Sequence, residues 1–158
     1  MSKNTKIILG VIGVLLVLGA ARWALTPKMD VSEMSSDTKG EYTIKSDDGE
    51  TVIKSGGSVP EDFPKDVPIY SGASVVSSVS GLNTGVTGHA VNFETSASVA
   101  DVIAFYKDGL AKSGWKIVST YNTNDTQMLV AQKDKMSAMV SATMVNGKTQ
   151  FILTVGNN

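Results

Sequence analysis

No cysteine occurs anywhere in the 158 residues. That excludes a disulfide framework, thiolate metal sites, a cysteine nucleophile and a lipid-modified N-terminal cysteine. A single histidine, His89, rules out a multi-histidine metal site within one chain. Charge of neither sign dominates: 14 Lys and Arg face 15 Asp and Glu, for a net −1, so the basic excess of a nucleic-acid binder is missing. Aromatic residues are scarce, at 6%. No Gly-x-Ser-x-Gly elbow is present to expose an acyl-transfer serine. Of the four prolines, Pro60, Pro64 and Pro68 recur at every fourth position and Pro27 stands alone.

What is there is unevenly distributed. Residues 1–25 hold Lys3, Lys6 and Arg22 and no acid; residues 26–66 hold ten acids against five lysines; residues 67–158 hold five acids against six lysines. The near-neutral total is therefore a cancellation, and three regions in three different surroundings account for it most simply.

Ile7 to Ala21 is an uncharged apolar run, extended past Arg22 by Trp23, Ala24 and Leu25. As a helix, Ile7–Leu25 spans roughly 28 Å at about 1.5 Å per residue, close to a bilayer hydrocarbon core of about 30 Å. Lipid offers the backbone no hydrogen bonds, so a single span must be helical. Trp23 suits the membrane interface and Arg22 can snorkel to headgroups. Lys3 and Lys6 favour a cytoplasmic N-terminus, weakened by Arg22 and Lys28 on the far side. The expectation is a signal anchor in residues 1–25, with the bilayer as partner. The rival is a cleaved signal peptide, for which the small residues Gly19, Ala20 and Ala21 would serve. A type IV pilin start is not matched around Gly10 or Gly13.

Residues 26–59 read as an acidic polar linker with a β-hairpin at about 42–54. Tyr42 and Ile44 alternate with polar residues, Asp48-Gly49 signals a turn, and Val52-Ile53 resume a strand. Such a hairpin is marginal alone and needs something to dock against. Asp47, Asp48 and Glu50 lack the alternating ligand pattern of a calcium loop. The proline-spaced segment that follows is expected to be an ordered, extended strap. Its candidate anchors, and equally its candidate contact surface, are Phe63, Val67, Ile69 and Tyr70.

Residues 60–158 are expected to form one α+β domain of order β-β-α-β-β-β-β. Ala73–Ser80 and Val86–Thr95 are strands around the turn Gly81–Gly85; the second puts His89, Val91 and Phe93 on one face. Ser96 or Ser98 caps a helix with an apolar stripe of Val99, Val102, Ile103, Tyr106 and Leu110, with Phe105 on its shoulder. Gly114 ends it. Trp115–Tyr121 and Gln127–Lys133 are further strands. Asn146-Gly147 sets a two-residue turn that pairs Ala142 with Phe151, Val140 with Leu153 and Ala138 with Val155 on one apolar face. The opposite face carries Ser141, Thr143, Gln150 and Thr154, with Met139 and Ile152 as exceptions. Short connections suggest antiparallel neighbours, and one helix on a curled antiparallel sheet is the natural two-layer answer.

Two stretches carry a resemblance: Pro64-Lys-Asp-Val-Pro-Ile-Tyr-Ser-Gly-Ala73, and Phe105-Tyr106 with Leu110 and Gly114-Trp115. Together with the hairpin they resemble a small α+β domain of bacterial membrane-anchored envelope proteins. The resemblance implies a cell-envelope setting and the α+β fold, and it implies no reaction. Lipoprotein members carry a lipobox cysteine that this chain lacks.

The residues offer little chemistry. His89 reads as a partly buried strand histidine. Ser36-Asp-Thr-Lys39 imitates a Ser-x-x-Lys motif but lies in the linker. Gly81, Gly85 and Gly88 join strands and do not open a helix as a phosphate loop does. Tyr70, Tyr106, Trp115 and Tyr121 are packing residues before they are a groove, and the methionines pack likewise. No catalytic residue, cofactor or metal site is expected. The functional expectation is a single-pass inner-membrane protein with a periplasmic, non-catalytic binding or scaffold domain and no nucleic-acid partner. The alternative is a secreted periplasmic enzyme or inhibitor, for which His89, Glu94 and Asp101 would have to converge with Tyr106.

Overall fold

The computed structural model describes residues 33–36, 41–46, 49–55, 57–81, 88–123 and 126–157. The apolar run 7–25, with Arg22 and Trp23, lies outside them, as do Asp47, Asp48 and residues 82–87. No described helix is long and apolar enough to cross a membrane.

The architecture is α+β: one helix lies on one antiparallel sheet. The strands are β1 (Glu33–Ser36), β2 (Glu41–Ser46), β3 (Gly49–Ser55), β4 (Ser74–Ser80), β5 (Gly88–Thr95), β6 (Lys116–Asn122), β7 (Thr126–Lys133), β8 (Met136–Val145) and β9 (Lys148–Asn157). The helix α1 spans Val99–Lys112 between β5 and β6. The sheet order is β1-β2-β3-β4-β5-β9-β8-β7-β6.

The final hairpin has the register its turn dictates. Asn146 and Gly147 take positive φ of 51° and 79°, as a type I′ turn requires. Ala142 then faces Phe151, Val140 faces Leu153 and Ala138 faces Val155. Ser98 caps α1 by accepting a hydrogen bond from the Asp101 N–H at 3.1 Å, which satisfies one of the orphan amides of the first turn. Gly114 adopts φ +84° just past the last turn, a conformation L side chains avoid. Val102, Ile103, Tyr106 and Leu110 are the buried stripe of α1.

Three expectations change on contact with the fold. Residues 33–36 form a strand, not linker: Met34 aligns with Ile44 and Ser36 with Tyr42. Four mostly polar residues carry almost no strand signal, and only the open edge of β2 makes pairing worthwhile. The hairpin is also no separate appendage. Its second strand adds to β4 from Val52↔Ser80 to Ser55↔Ser77, so the linker region becomes part of the sheet. Finally, β5 and β6 are not neighbours. α1 crosses over β9, β8 and β7 and delivers β6 to the far edge, while β5 pairs with the C-terminal β9 along eight residues.

The inner face of the sheet meets α1 over Leu129, Ala131, Ala138, Val140 and Ala142, all fully buried. The small Ala131, Ala138 and Ala142 leave room for the helix to approach. Phe151 stacks on Phe93 with centroids 4.8 Å apart and receives the edges of Tyr106 at 5.8 Å and Tyr70 at 6.1 Å. Sheet, helix and strap thus share one aromatic cluster, a geometry in which ring pairs gain beyond area burial alone.

Candidate interaction surface

The strap differs from an extended segment. The Phe63 N–H donates to the Pro60 carbonyl at 3.1 Å, and the Val67 N–H donates to the Pro64 carbonyl at 3.2 Å. Each proline opens a turn; Glu61-Asp62 and Lys65-Asp66 take the corners, and the apolar residue returns inward. A proline period of four makes this possible because a β-turn closes from residue i to i+3. Phe63 and Val67, 6% and 3% exposed, are therefore core anchors. Tyr70 is half-buried against Phe105, and Ile69 remains exposed.

Two fits hold the strap along the helix. A Cβ on Gly109 would lie 2.8 Å from Pro68 Cγ, so the helix glycine is what lets the strap lie close. Lys133 Nζ donates to Asp66 Oδ2 at 2.7 Å and to the Ser113 carbonyl at 3.0 Å. It ties the strap to the end of the helix, where a cation also complements the helix dipole.

The polar residues singled out by sequence do not meet. His89 Nδ1 lies 3.2 Å from Ser80 Oγ and 3.8 Å from Asp62 Oδ1, beside the Phe63 ring. Serine, histidine and aspartate are all present, but both partners address the same ring nitrogen. An acyl-transfer triad needs one nitrogen for the serine and the other for the carboxylate. Asp101 is occupied with the Ser98 cap. Tyr106 is fully buried, and its hydroxyl has no hydrogen-bond partner of good geometry; burial pushes the phenol well above its ordinary pKa. Among the described residues no group of three or more acids or histidines could hold a metal.

Glu94 pairs with Lys148 at 2.5 Å on the rim of an open cleft of about 220 Å³ lined by Gly72, Ser74, Thr95 and Ser96. The hydrogen bond from Lys148 is the largest influence and holds the Glu94 carboxyl below its ordinary value; desolvation opposes it, and the charge of Lys148 and a hydrogen bond from Gln150 lower it further. A lowered folded-state pKa means that this contact stabilises the fold above the unfolded carboxyl pKa and stops doing so as pH falls through the folded value. A carboxyl-carbon NMR titration should show Glu94 returning to the ordinary glutamate range in Lys148→Met. An unmoved midpoint would show that the ion pair does not form in solution.

Two surfaces open to a partner are the Ile69 corner of the strap and the edge strand β6. At β6 the register slips between Ile117 and Ser119; Val118 in that bulge is 44% exposed and Tyr121 58%. A bulge blunts an edge against indiscriminate pairing, while the exposed apolar side chains of Val118 and Tyr121 leave it able to contact a partner. Sequence had no means of selecting β6, because edge position depends on where α1 carries the chain.

Residues 75–150 are similar to the family whose model is described as START domain-like. The match runs from β4 into β9 and leaves out the strap and the β1–β3 extension. No curated protein and no solved structure matches the chain.

Proposed function

We propose that the protein is a single-pass envelope protein of the inner membrane whose periplasmic domain binds a protein partner without catalysis. The observation that carries the reading is the helix-length apolar run Ile7–Leu25, interrupted only by Arg22 near its end, standing ahead of an acidic stretch and a folded domain. The tether confines the domain to the membrane and raises its local concentration toward a co-resident partner. The β6 edge, with Val118 and Tyr121, and the exposed Ile69 are the contact surface. Edge addition of an extended partner segment uses main-chain hydrogen bonds for affinity and such side chains for selectivity. The separate placement of His89, Glu94, Asp101 and Tyr106 supports this over the enzyme alternative.

Affinity capture of the full chain from solubilised membranes, with wild type beside Tyr121→Lys, tests the proposal. The expected result is an intact N-terminus by mass and an envelope protein retained by wild type and lost by the variant. A mature chain beginning near Arg22 would remove the anchor. Capture of no reproducible partner would remove the binding role.

A further inference from the structure

The seam that joins β3 to β4 is short. Four positions pair, from Val52↔Ser80 to Ser55↔Ser77, where β5 and β9 pair over eight and β8 and β9 over ten. The pairing also stops before the start of β4, which begins at Ser74. Among the described residues, Ser74, Val75 and Val76 therefore have no strand beside them on the β3 side. The sequence gives the reason: Gly56 and Gly57 follow Ser55, and glycine is a poor strand former.

Little apolar contact backs this seam. Ile53, itself half-buried, meets Val79 and Ala90 in a small cluster separate from the main core. The strap on the other side is fastened independently, with Phe63 and Val67 in the main core. Between the two stands Gly57, at φ +101° with open space around it, a joint that only glycine adopts readily. A segment with few buried apolar contacts opens at lower free energy than the rest of its fold. β3 can thus leave β4 while the strap stays in place. The similarity to the START domain-like family also begins after this seam, at residue 75.

We propose that β3 is a removable occupant of the β4 edge, and that this edge receives an extended segment of a protein partner in its place. A sheet edge binds such a segment through main-chain hydrogen bonds and selects it through alternate side chains. β3 itself shows what the segment carries: a branched apolar residue at the place of Ile53, against Val79 and Ala90. The uncovered Ser74–Val76 stretch is where pairing starts. The incoming strand then displaces Ser55 through Val52 in turn, so main-chain bonds are exchanged and not lost. β3 has the advantage of being tethered, which gives it a high effective concentration. A partner strand that runs the seven residues of β4 offsets this, because β3 pairs with only four of them. The inference shares only the class of partner with the proposed function and needs neither the anchor nor β6.

The test uses the purified full chain and a labelled peptide with the sequence of residues 49–55 followed by Thr-Val-Thr. Three forms are compared: wild type, Ile53→Lys, and oxidised Val52→Cys/Ser80→Cys. Val52 and Ser80 stand directly opposite each other, and the absence of native cysteine leaves one intramolecular disulfide to form. Ile53→Lys should bind the peptide roughly tenfold more tightly than wild type, because its own β3 competes less well. The disulfide-locked form should show no saturable binding until it is reduced. Hydrogen exchange on Ile53→Lys should show β3 amides unprotected and β5, β9 and α1 amides still protected. Equal affinity for the locked and Ile53→Lys forms overturns the inference, since the peptide then sits elsewhere. So does absence of binding to Ile53→Lys, failure of the two cysteines to join, or loss of protection throughout Ile53→Lys, which would make the hairpin one cooperative unit with the core. No membrane and no captured protein enters this assay, so its failure leaves the anchored reading standing, and failed capture leaves this one standing.

Discussion

Phe151→Ala should cost about 3–5 kcal/mol, the range for truncating a buried aromatic without collapse of its site. Phe151 is fully buried and stands where three elements meet: Phe93 stacks on it from β5, Tyr106 approaches from α1 and Tyr70 from the strap. None of the three can fill the void alone, because each is held by its own element. Against a stability of about 5–15 kcal/mol, the loss brings the domain to the margin of folding. Urea unfolding followed by tryptophan fluorescence should show a much lower midpoint, since Trp115 is itself in the core. Phe151→Leu should lose only a fraction of this. A loss below about 1 kcal/mol for the alanine variant would mean that the strap and helix repack freely, and that the aromatic cluster is not what joins them.

Gly88→Ala should be the most damaging glycine substitution. A Cβ there would lie 2.5 Å from the Val155 carbonyl oxygen and 2.9 Å from Gly156 Cα. Both obstacles are backbone, and they belong to the strand that pairs with β5 in the middle of the sheet. Relief requires β5 and β9 to part at this end. The expected net loss is about 1–3 kcal/mol, even though alanine would otherwise gain a few tenths by restricting the unfolded chain. Hydrogen exchange locates the effect: the Gly81 amide, bonded to the Gly88 carbonyl at 3.1 Å, should lose protection, while α1 amides keep theirs. An unchanged exchange pattern would show that the two strands already sit further apart than the structure has them.

Much of the fold was legible because local chemistry and global position agree. The Asn146-Gly147 turn imposes one register, and the alternation of Ala138, Val140 and Ala142 with polar residues leaves one way to face the core. The helix was readable from its stripe, its Ser98 cap and the Gly114 stop. The strap was half legible. Proline spacing marked an ordered segment with Phe63 and Val67 as anchors, but a contact surface at the same residues was incompatible with their burial. A proline fixes its own φ and not the hydrogen bond its carbonyl accepts, so turns and extension read alike. The β1 strand was invisible for a different reason. Met34 finds Ile44 opposite only once the hairpin has docked and left an edge.

The candidate surfaces divide in the same way. Sequence by itself determined the uncharged N-terminal run, the absence of cysteine, the apolar side of the final hairpin and the two exceptions, Met139 and Ile152, on its polar side. Each of these depends on residue type at a spacing of one to four. Tertiary structure alone decided that β6 is an edge, that His89 shares one nitrogen between two partners, and that Met139 lies between Val130 and Thr154 on neighbouring strands. Those facts depend on strand order, set by where a fourteen-residue helix carries the chain across three strands. A sum of non-local contacts chooses that path, and no local pattern encodes it.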